Sequence, residues 1–205
     1  MSKTDRETKL YLVRHGETLW NVEDKMQGVK DSPLTEKGIE HARSLGSSIK
    51  NLSMGIDKIY ASDLGRAFTT AELIGKTLEL DIYKDERLRE RNMGIFEGYS
   101  WDYVREHYPQ EFEKTVSDDN DYRIPEGETK NEYIAKVSSF LDYIGKQHEG
   151  EKILAVTHRG FINFALRIIL SIPLNAKMGA VVNNTLLAGF VYRKGKWLLE
   201  RFGDV

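Results

Sequence analysis

Two histidines in this chain stand beside arginines at the ends of apolar runs. KLYLVRHG, from Lys9, closes on Arg14, His15 and Gly16, and KILAVTHRG, from Lys152, closes on His158, Arg159 and Gly160. Between them YASDLGR, from Tyr60, leads through Ser62 to Arg66. The planar fork of arginine matches phosphate oxygens and stays charged at any working pH. An imidazole that is neutral near pH 7 can attack phosphorus through a free nitrogen, and it leaves again when water displaces it. A phosphomonoester dianion needs several fixed cations, so these residue types together point to phosphoryl chemistry. Taken singly each is a weak signal, because a lone histidine at a strand end is more often a structural group. Two of them, each beside an arginine, shift that balance. Gly16 removes side-chain bulk beside the first ring, and helices starting after the other strands add backbone N–H donors for an anion. A metal site built from His15, His158 and a carboxylate is disfavoured, since no short His-x-x-x-His spacing supports it and the arginines repel a cation. No metal and no cofactor are expected. His41, His107 and His148 lie in charge-rich helical surroundings and read as surface residues.

The elements that would position these groups follow from periodicity. Strands are expected over Lys9 to His15, over KIYAS from Lys58, near Asp81 to Lys84, and over KILAVTH from Lys152. The last is a continuous apolar run, as in a strand covered on both faces. Thr35 is a candidate N-cap for a helix carrying Ile39, Ala42, Leu45, Ile49 and Leu52 at helical spacing. A second helix carries Leu64, Ala67, Ala71, Ile74 and Leu78 on one face. Ser100 to Thr115 is expected to be helical, and Thr129 with Glu132 has capping-box spacing ahead of Ile134, Val137, Leu141 and Ile144. A further helix runs from Phe161 to Leu170, and a hairpin turns at Lys194-Gly195. Strands alternating with helices imply an α/β fold, a three-layer α/β/α sandwich on a mainly parallel central sheet. Ligands bind beyond the carboxyl ends of such strands, which is where the histidine–arginine pairs fall.

LVRHGETLWN, QGVKDSPLTEKG, YASDLGRAFTTAELI, LRERNMGIFEG and VTHRG, in that order, resemble the successive motifs of the histidine phosphatase superfamily in its phosphoglycerate-mutase-like branch. The resemblance runs from Leu12 to about Asn184. It implies a phosphoglycerate-mutase-like fold, with His15 as the nucleophile that becomes phosphohistidine. It implies that Arg14, Arg66 and His158 grip the phosphoryl oxygens, and that Glu90 protonates the leaving oxygen and then activates water. Without it, Glu90 among Arg87, Arg89 and Arg91 reads as part of a solvated charge cluster. Asn21 matches a substrate or phosphate contact. Gln27, Gly28 and Gly160 join the phosphate-binding candidates, although Gln27-Gly28 serves equally as a loop-shaping pair and Ser62 as a turn or cap residue. Glu17, Asp31, Asp63 and Glu97 are assigned capping and turn roles. Two positions depart from the family pattern. Arg159 stands where many relatives have glycine, and either adds a cation for substrate or, the favoured reading, points outward into an ion pair. Asn163 stands where relatives often carry arginine.

The resemblance covers both mutases and hydrolases. Mutases carry a longer insertion with paired arginines, whereas the stretch from Gly98 to Gly127 holds Arg105, Lys114 and Arg123 with no adjacent pair. A phosphomonoesterase acting through phosphohistidine on a small phosphorylated metabolite is therefore expected, with a phosphoglycerate mutase as the alternative. A non-enzymatic sensor of phosphorylated ligands is the third reading, disfavoured because nucleophile and acid are both present. The aromatic segment with Trp101, Tyr103, Tyr108 and Phe112 is expected in a small cap formed by about 99–127 of a single domain spanning 1–205, its rings packed as helical core.

Bulk composition agrees with this. The 205 residues are 40% hydrophobic and 30% charged, with 30 basic against 32 acidic side chains and a net charge of -2. That argues against a nucleic-acid-binding face, which needs a clustered basic surplus. There is no cysteine, so disulfides and thiolate metal sites are excluded. MSKTDRETK, at the amino terminus, lacks the apolar centre of a signal peptide. No apolar run approaches the ~20 residues that span a bilayer. A cytoplasmic protein, monomer or homodimer, binding a small-molecule phosphate ester and neither nucleic acid nor membrane, is the expectation.

Overall fold

A computed structural model describes residues 6–203; the polar amino-terminal reading falls largely on residues 1–5, outside them. A six-stranded sheet runs through the molecule in the order β3-β2-β4-β1-β5-β6. Its strands are β1 (Thr8–Arg14), β2 (Lys58–Ala61), β3 (Ile82–Lys84), β4 (Lys152–Thr157), β5 (Leu187–Arg193) and β6 (Lys196–Gly203). The first four are parallel to one another, and β5 and β6 add antiparallel to β1 and β5. Among the described residues seven α-helices accompany them: α1 (Leu19–Val22), α2 (Glu36–Asn51), α3 (Gly65–Leu78), α4 (Trp101–His107), α5 (Pro109–Val116), α6 (Lys130–Gln147) and α7 (Arg159–Leu170).

Strand β1 shows why the sandwich forms. Side chains of a strand alternate between faces, so Leu10 and Leu12 enter one core, where they meet Val137, Phe140 and Ile144 of α6 and Phe161 and Ala165 of α7. Tyr11 and Val13 enter the other, against Leu45 and Ile49 of α2 and Ala67, Ala71 and Ile74 of α3. A buried leucine contributes about 2 kcal/mol, and β1 places apolar side chains in both layers. A smaller cluster of Phe96, Val104 and Ile124 lies apart, under α4 and α5. No helix among the described residues is long and apolar enough to cross a membrane.

Local chemistry sets the element ends. Thr35 caps α2 by accepting from Gly38 N–H, and Thr129 and Glu132 form the reciprocal box that opens α6. Lys194 and Gly195 both have positive φ, 49° and 77°, as a tight hairpin turn with strand-matched twist requires. Three expectations are corrected. The helix expected from Ser100 to Thr115 is two helices, because Pro109 lacks an N–H and its ring disfavours helical backbone at Tyr108, which has ψ 53°. Leu52, expected on the buried face of α2, is its C-cap and 57% exposed, while Ile39 and Ile134 are only half-buried. His148, expected on the surface, is buried: Nε2 lies 3.0 Å from the Tyr60 hydroxyl and Nδ1 2.5 Å from Glu151. His41 and His107 are exposed, as expected.

Candidate active site

The parallel register of the sheet brings the two histidines together. Arg14 of β1 lies opposite Thr157 of β4, and one residue further on His15 N–H donates to the Thr157 carbonyl at 2.9 Å. His15 and His158 therefore leave adjacent strand ends side by side, with ring centroids 5.3 Å apart. The next strand repeats the arrangement: Ala61 lies opposite Val156, so Ser62 stands beside His158 and its hydroxyl lies 2.9 Å from Nε2. Both rings are buried.

Hydrogen bonds fix which ring nitrogens are free. Burial first, then the charges of Arg66 and Arg14, push His15 well below the ordinary imidazole range, so it is neutral at pH 7. A neutral ring that meets a carbonyl must donate to it, so Nδ1 donates to Gly16 O at 2.8 Å and Nε2 keeps its lone pair. His158 is held neutral in the same way by burial and by Arg66, His15 and Arg14. The Ser62 hydroxyl proton has no other acceptor among the described residues, so it is assigned to His158 Nε2, which places the ring proton on Nδ1. That Nδ1 is buried with no protein partner among the described residues.

The two arginines are held from behind, each with its Nε left over. Arg66 gives Nη2 to Gly28 O and Nη1 to Lys30 O and Asp31, and its Nε is buried without a partner. Arg14 gives Nη1 to Val182 O, and its Nε is likewise unpartnered. Burial, Arg159 and Arg66 lower the Arg14 guanidinium to about 10, so it stays charged at pH 7. The loop that supplies these carbonyls is pinned by the buried Glu97 carboxylate, which accepts from Val29, Lys30 and Met93 N–H. Gly28 sits at φ 51° with Glu97 Oε1 where a Cβ would lie, so it shapes this loop and presents a carbonyl to Arg66.

Glu90 reaches the same cleft through a different set of bonds. Its Oε1 accepts from Arg91 N–H and from the Tyr133 hydroxyl, both at 2.9 Å, and Oε2 accepts from Gly160 N–H at 3.0 Å. Gly160 thus spends its N–H on the carboxylate. A Cβ there would lie 2.1 Å from Glu90 Oε1. Gly160→Ala should therefore displace the carboxyl group while leaving the fold intact, and kcat on an alkyl phosphate should fall roughly 10²-fold with the melting temperature little changed. An unaltered kcat would mean that Glu90 tolerates the shift.

Arg14, His15, Arg66, Glu90, Asn21, Gln27, Gly28, Arg159 and Gly160 all line one cleft of about 470 Å³. Asn21, in α1, uses its Oδ1 to cap Thr18 N–H and to accept from Asn184, which leaves its amide N–H groups free. Arg159 makes no ion pair among the described residues and stands on the cleft wall, so the outward ion pair favoured from the sequence is corrected. Asp31 pairs with Arg66, Asp63 with Arg89, and Glu17 with Lys37, ion pairs where capping and turn bonds were expected, although Asp31 also accepts from the Arg66 N–H at the start of α3. Of the aromatic segment, Trp101 lines the cleft, Tyr103 is exposed and stacked between Tyr99 and His107, and Tyr108 and Phe112 pack in the small core. Tyr133, Asn184 and the Val182 carbonyl had no assignment from sequence. Each acts on a partner more than 40 residues away, so no local pattern could mark it.

The buried histidines tie stability to pH. Both have folded pKa values below the free value of 6.5, so the unfolded chain binds protons that the folded chain cannot. Stability is then complete above pH 6.5 and falls as pH drops below it, by up to ~1.4 kcal/mol per pH unit for each ring. Urea unfolding should lose about 3 kcal/mol between pH 7.5 and 5.5, and inorganic phosphate beside the rings should restore part of that. A flat profile would contradict the buried neutral assignment.

Comparison with known proteins adds a second line of evidence. The profile of the histidine phosphatase superfamily (branch 1) matches residues 10–205. The chain is 37% identical over 202 residues to a probable phosphoglycerate mutase, GpmB, of Escherichia coli O1:K1 / APEC, covering 96% of this chain and 93% of that protein. Among solved structures, Bacillus stearothermophilus YhfR superposes with a TM-score of 0.88 at 35% identity, covering 97% and 98% of the two chains. A phosphoserine phosphatase from Entamoeba histolytica in complex with phosphoserine superposes at 0.84 with 29% identity, covering 96% of each.

Proposed function

Since the chain belongs to branch 1 of the histidine phosphatase superfamily, we propose that it hydrolyses a small phosphorylated metabolite through a phosphohistidine on His15. One observation carries this reading. Three donors lack partners among the described residues: Arg14 Nε and Arg66 Nε, on residues that line the cleft with His15, and His158 Nδ1, on the ring 5.3 Å from the one whose Nε2 keeps its lone pair. A phosphoryl group offers that set what it needs, three acceptor oxygens around an electrophilic phosphorus.

In the proposed reaction His15 Nε2 forms a bond to phosphorus as the bond to the ester oxygen breaks. The Glu90 carboxyl gives its proton to that oxygen. Water then attacks phosphorus and passes a proton back to Glu90, and the nitrogen–phosphorus bond breaks with its electron pair returning to Nε2. Arg14, Arg66 and His158 hold the equatorial oxygens throughout, where preorganised donors are most effective. Trp101 and the rest of about 99–127 act as a cap over this centre, and the whole chain acts as one domain.

Hydrolysis is favoured over mutase chemistry by the fate of the cap cations. Arg105 pairs with Asp102, Arg123 with Glu132, and Lys114 lies over the Tyr122 ring. None of the three lines the cleft to hold the second phosphate of a bisphosphate. The mutase reading draws on the GpmB relative and on the unpaired Arg159. Incubation with 3-phosphoglycerate decides between them: release of inorganic phosphate faster than formation of 2-phosphoglycerate is expected, and the reverse order would establish a mutase.

A further inference from the structure

Six buried side-chain polar atoms lack a protein partner among the described residues; four belong to residues lining the cleft, and a fifth to His158, whose ring lies 5.3 Å from that of His15. Three are the donors already assigned to the phosphoryl oxygens. The other two, Gln27 Oε1 and Asn163 Oδ1, are acceptors. Gln27 is 7% exposed, and neither amide makes any hydrogen bond within the protein among the described residues. Burying a carboxamide without a partner is unfavourable, so a cleft that holds two of them is built for something that bonds to them.

A phosphoryl dianion cannot be that partner, because it accepts hydrogen bonds and has no proton to give. A carboxylate fails for the same reason. An ammonium group would donate, but the wall it would meet carries Arg14, Arg66 and Arg159, whose charges repel it. Turning either amide over would instead add an NH2 donor to a wall where the cations of Arg14, Lys25, Arg66, Arg91 and Arg159 already outnumber the two carboxylates. Neutral hydroxyls satisfy every constraint at once. They donate to the two amide oxygens and accept from Arg159, which shares a face of α7 with Asn163 at a spacing of four residues. Around them Trp20, Trp101, Met26, Met93 and Phe164 give an apolar wall suited to ring C–H groups.

We propose that Gln27, Asn163 and Arg159 form a hydroxyl subsite, and that the substrate is the monophosphate of a sugar or related polyol. This rests on the hydrolase reading and names its substrate class. Asn163 becomes a specificity-determining residue, and its departure from the family's arginine has a chemical purpose: it exchanges a cation for a neutral donor–acceptor pair.

The test compares kcat/KM for ribose 5-phosphate, glucose 6-phosphate and fructose 6-phosphate with that for n-propyl phosphate, an alkyl ester without hydroxyls, on the wild-type protein. At least one sugar phosphate should exceed n-propyl phosphate by roughly 10- to 100-fold. In Asn163→Leu and Gln27→Leu the ratio of sugar to propyl ester should fall roughly tenfold, a readout that general loss of folded protein does not move. O-Phosphoserine or 3-phosphoglycerate exceeding every sugar phosphate tenfold would overturn the subsite, as would a ratio unchanged in both variants. p-Nitrophenyl phosphate separates the two failures. If it is hydrolysed while no sugar preference exists, only the subsite falls; if neither it nor any ester releases phosphate, the hydrolase reading falls with it.

Discussion

Replacing His15 with alanine is expected to abolish phosphate transfer to the protein and to lower kcat by at least ~10⁴-fold, the scale for removing a covalent nucleophile from a preorganised site. The reasoning lies in the ring's surroundings. The Gly16 carbonyl orients it, burial and two arginines keep it unprotonated, and Nε2 is its only unengaged atom. No neighbouring group replaces it: His158 presents an N–H rather than a lone pair, because Ser62 occupies its other nitrogen. Trapping with labelled phosphomonoester under alkaline denaturing conditions, which spare phosphohistidine, should label the wild type and leave His15→Ala blank. Equal labelling of both would transfer the nucleophile elsewhere. The folded state should survive the substitution, since the ring contributes a single side-chain hydrogen bond to the backbone and the strand register rests on main-chain bonds.

The second large effect concerns Glu90→Gln, which keeps the shape of the side chain and removes its acid. For alkyl phosphates, whose alkoxide cannot leave unprotonated, kcat should fall ~10²- to 10⁴-fold. p-Nitrophenolate departs without help, so with that ester the first step should survive and the second, activation of water, should become limiting. The expected signature is a burst of p-nitrophenolate equal to the enzyme present, followed by slow turnover, with phosphohistidine accumulating. Equal losses on both esters with no burst would remove Glu90 from proton transfer and leave it a structural anchor for Arg91 and Gly160.

What the sequence disclosed was the part of the site carried by contiguous residues. Arg14-His15 and His158 stand at the ends of runs whose apolar character is itself the signal for buried strands, so strand and site were legible together. Glu90 was legible only through the family resemblance. Its neighbours Arg87 and Arg89 do face outward, to Asp85 and Asp63, whereas Leu88 points into the core and Glu90 into the cleft; an alternation over four residues is too short to read. Tyr133 lay hidden for another reason: helical spacing picked out Ile134, while the ring beside it took the fully buried place and gave its hydroxyl to Glu90. The burial of His148 depends on Tyr60, 88 residues earlier, and no local pattern carries that pairing. The break at Pro109 was legible and went unread, since proline both ends one helix and opens the next.

The position of β1 between β4 and β5 has a consequence for the order of events at the ribosome. Of the described strands β1, which ends beside His15, is made before the others, yet both of its hydrogen-bonded neighbours begin at or after Lys152. Until β4 has emerged, an apolar strand waits with two unpaired edges, and the Val182 carbonyl that anchors Arg14 comes later still. Non-local pairing of this kind is slow and leaves sticky edges exposed meanwhile. Any product truncated ahead of β4 would carry RHG as an unprotected edge, so it would be prone to aggregation and could not bind phosphate.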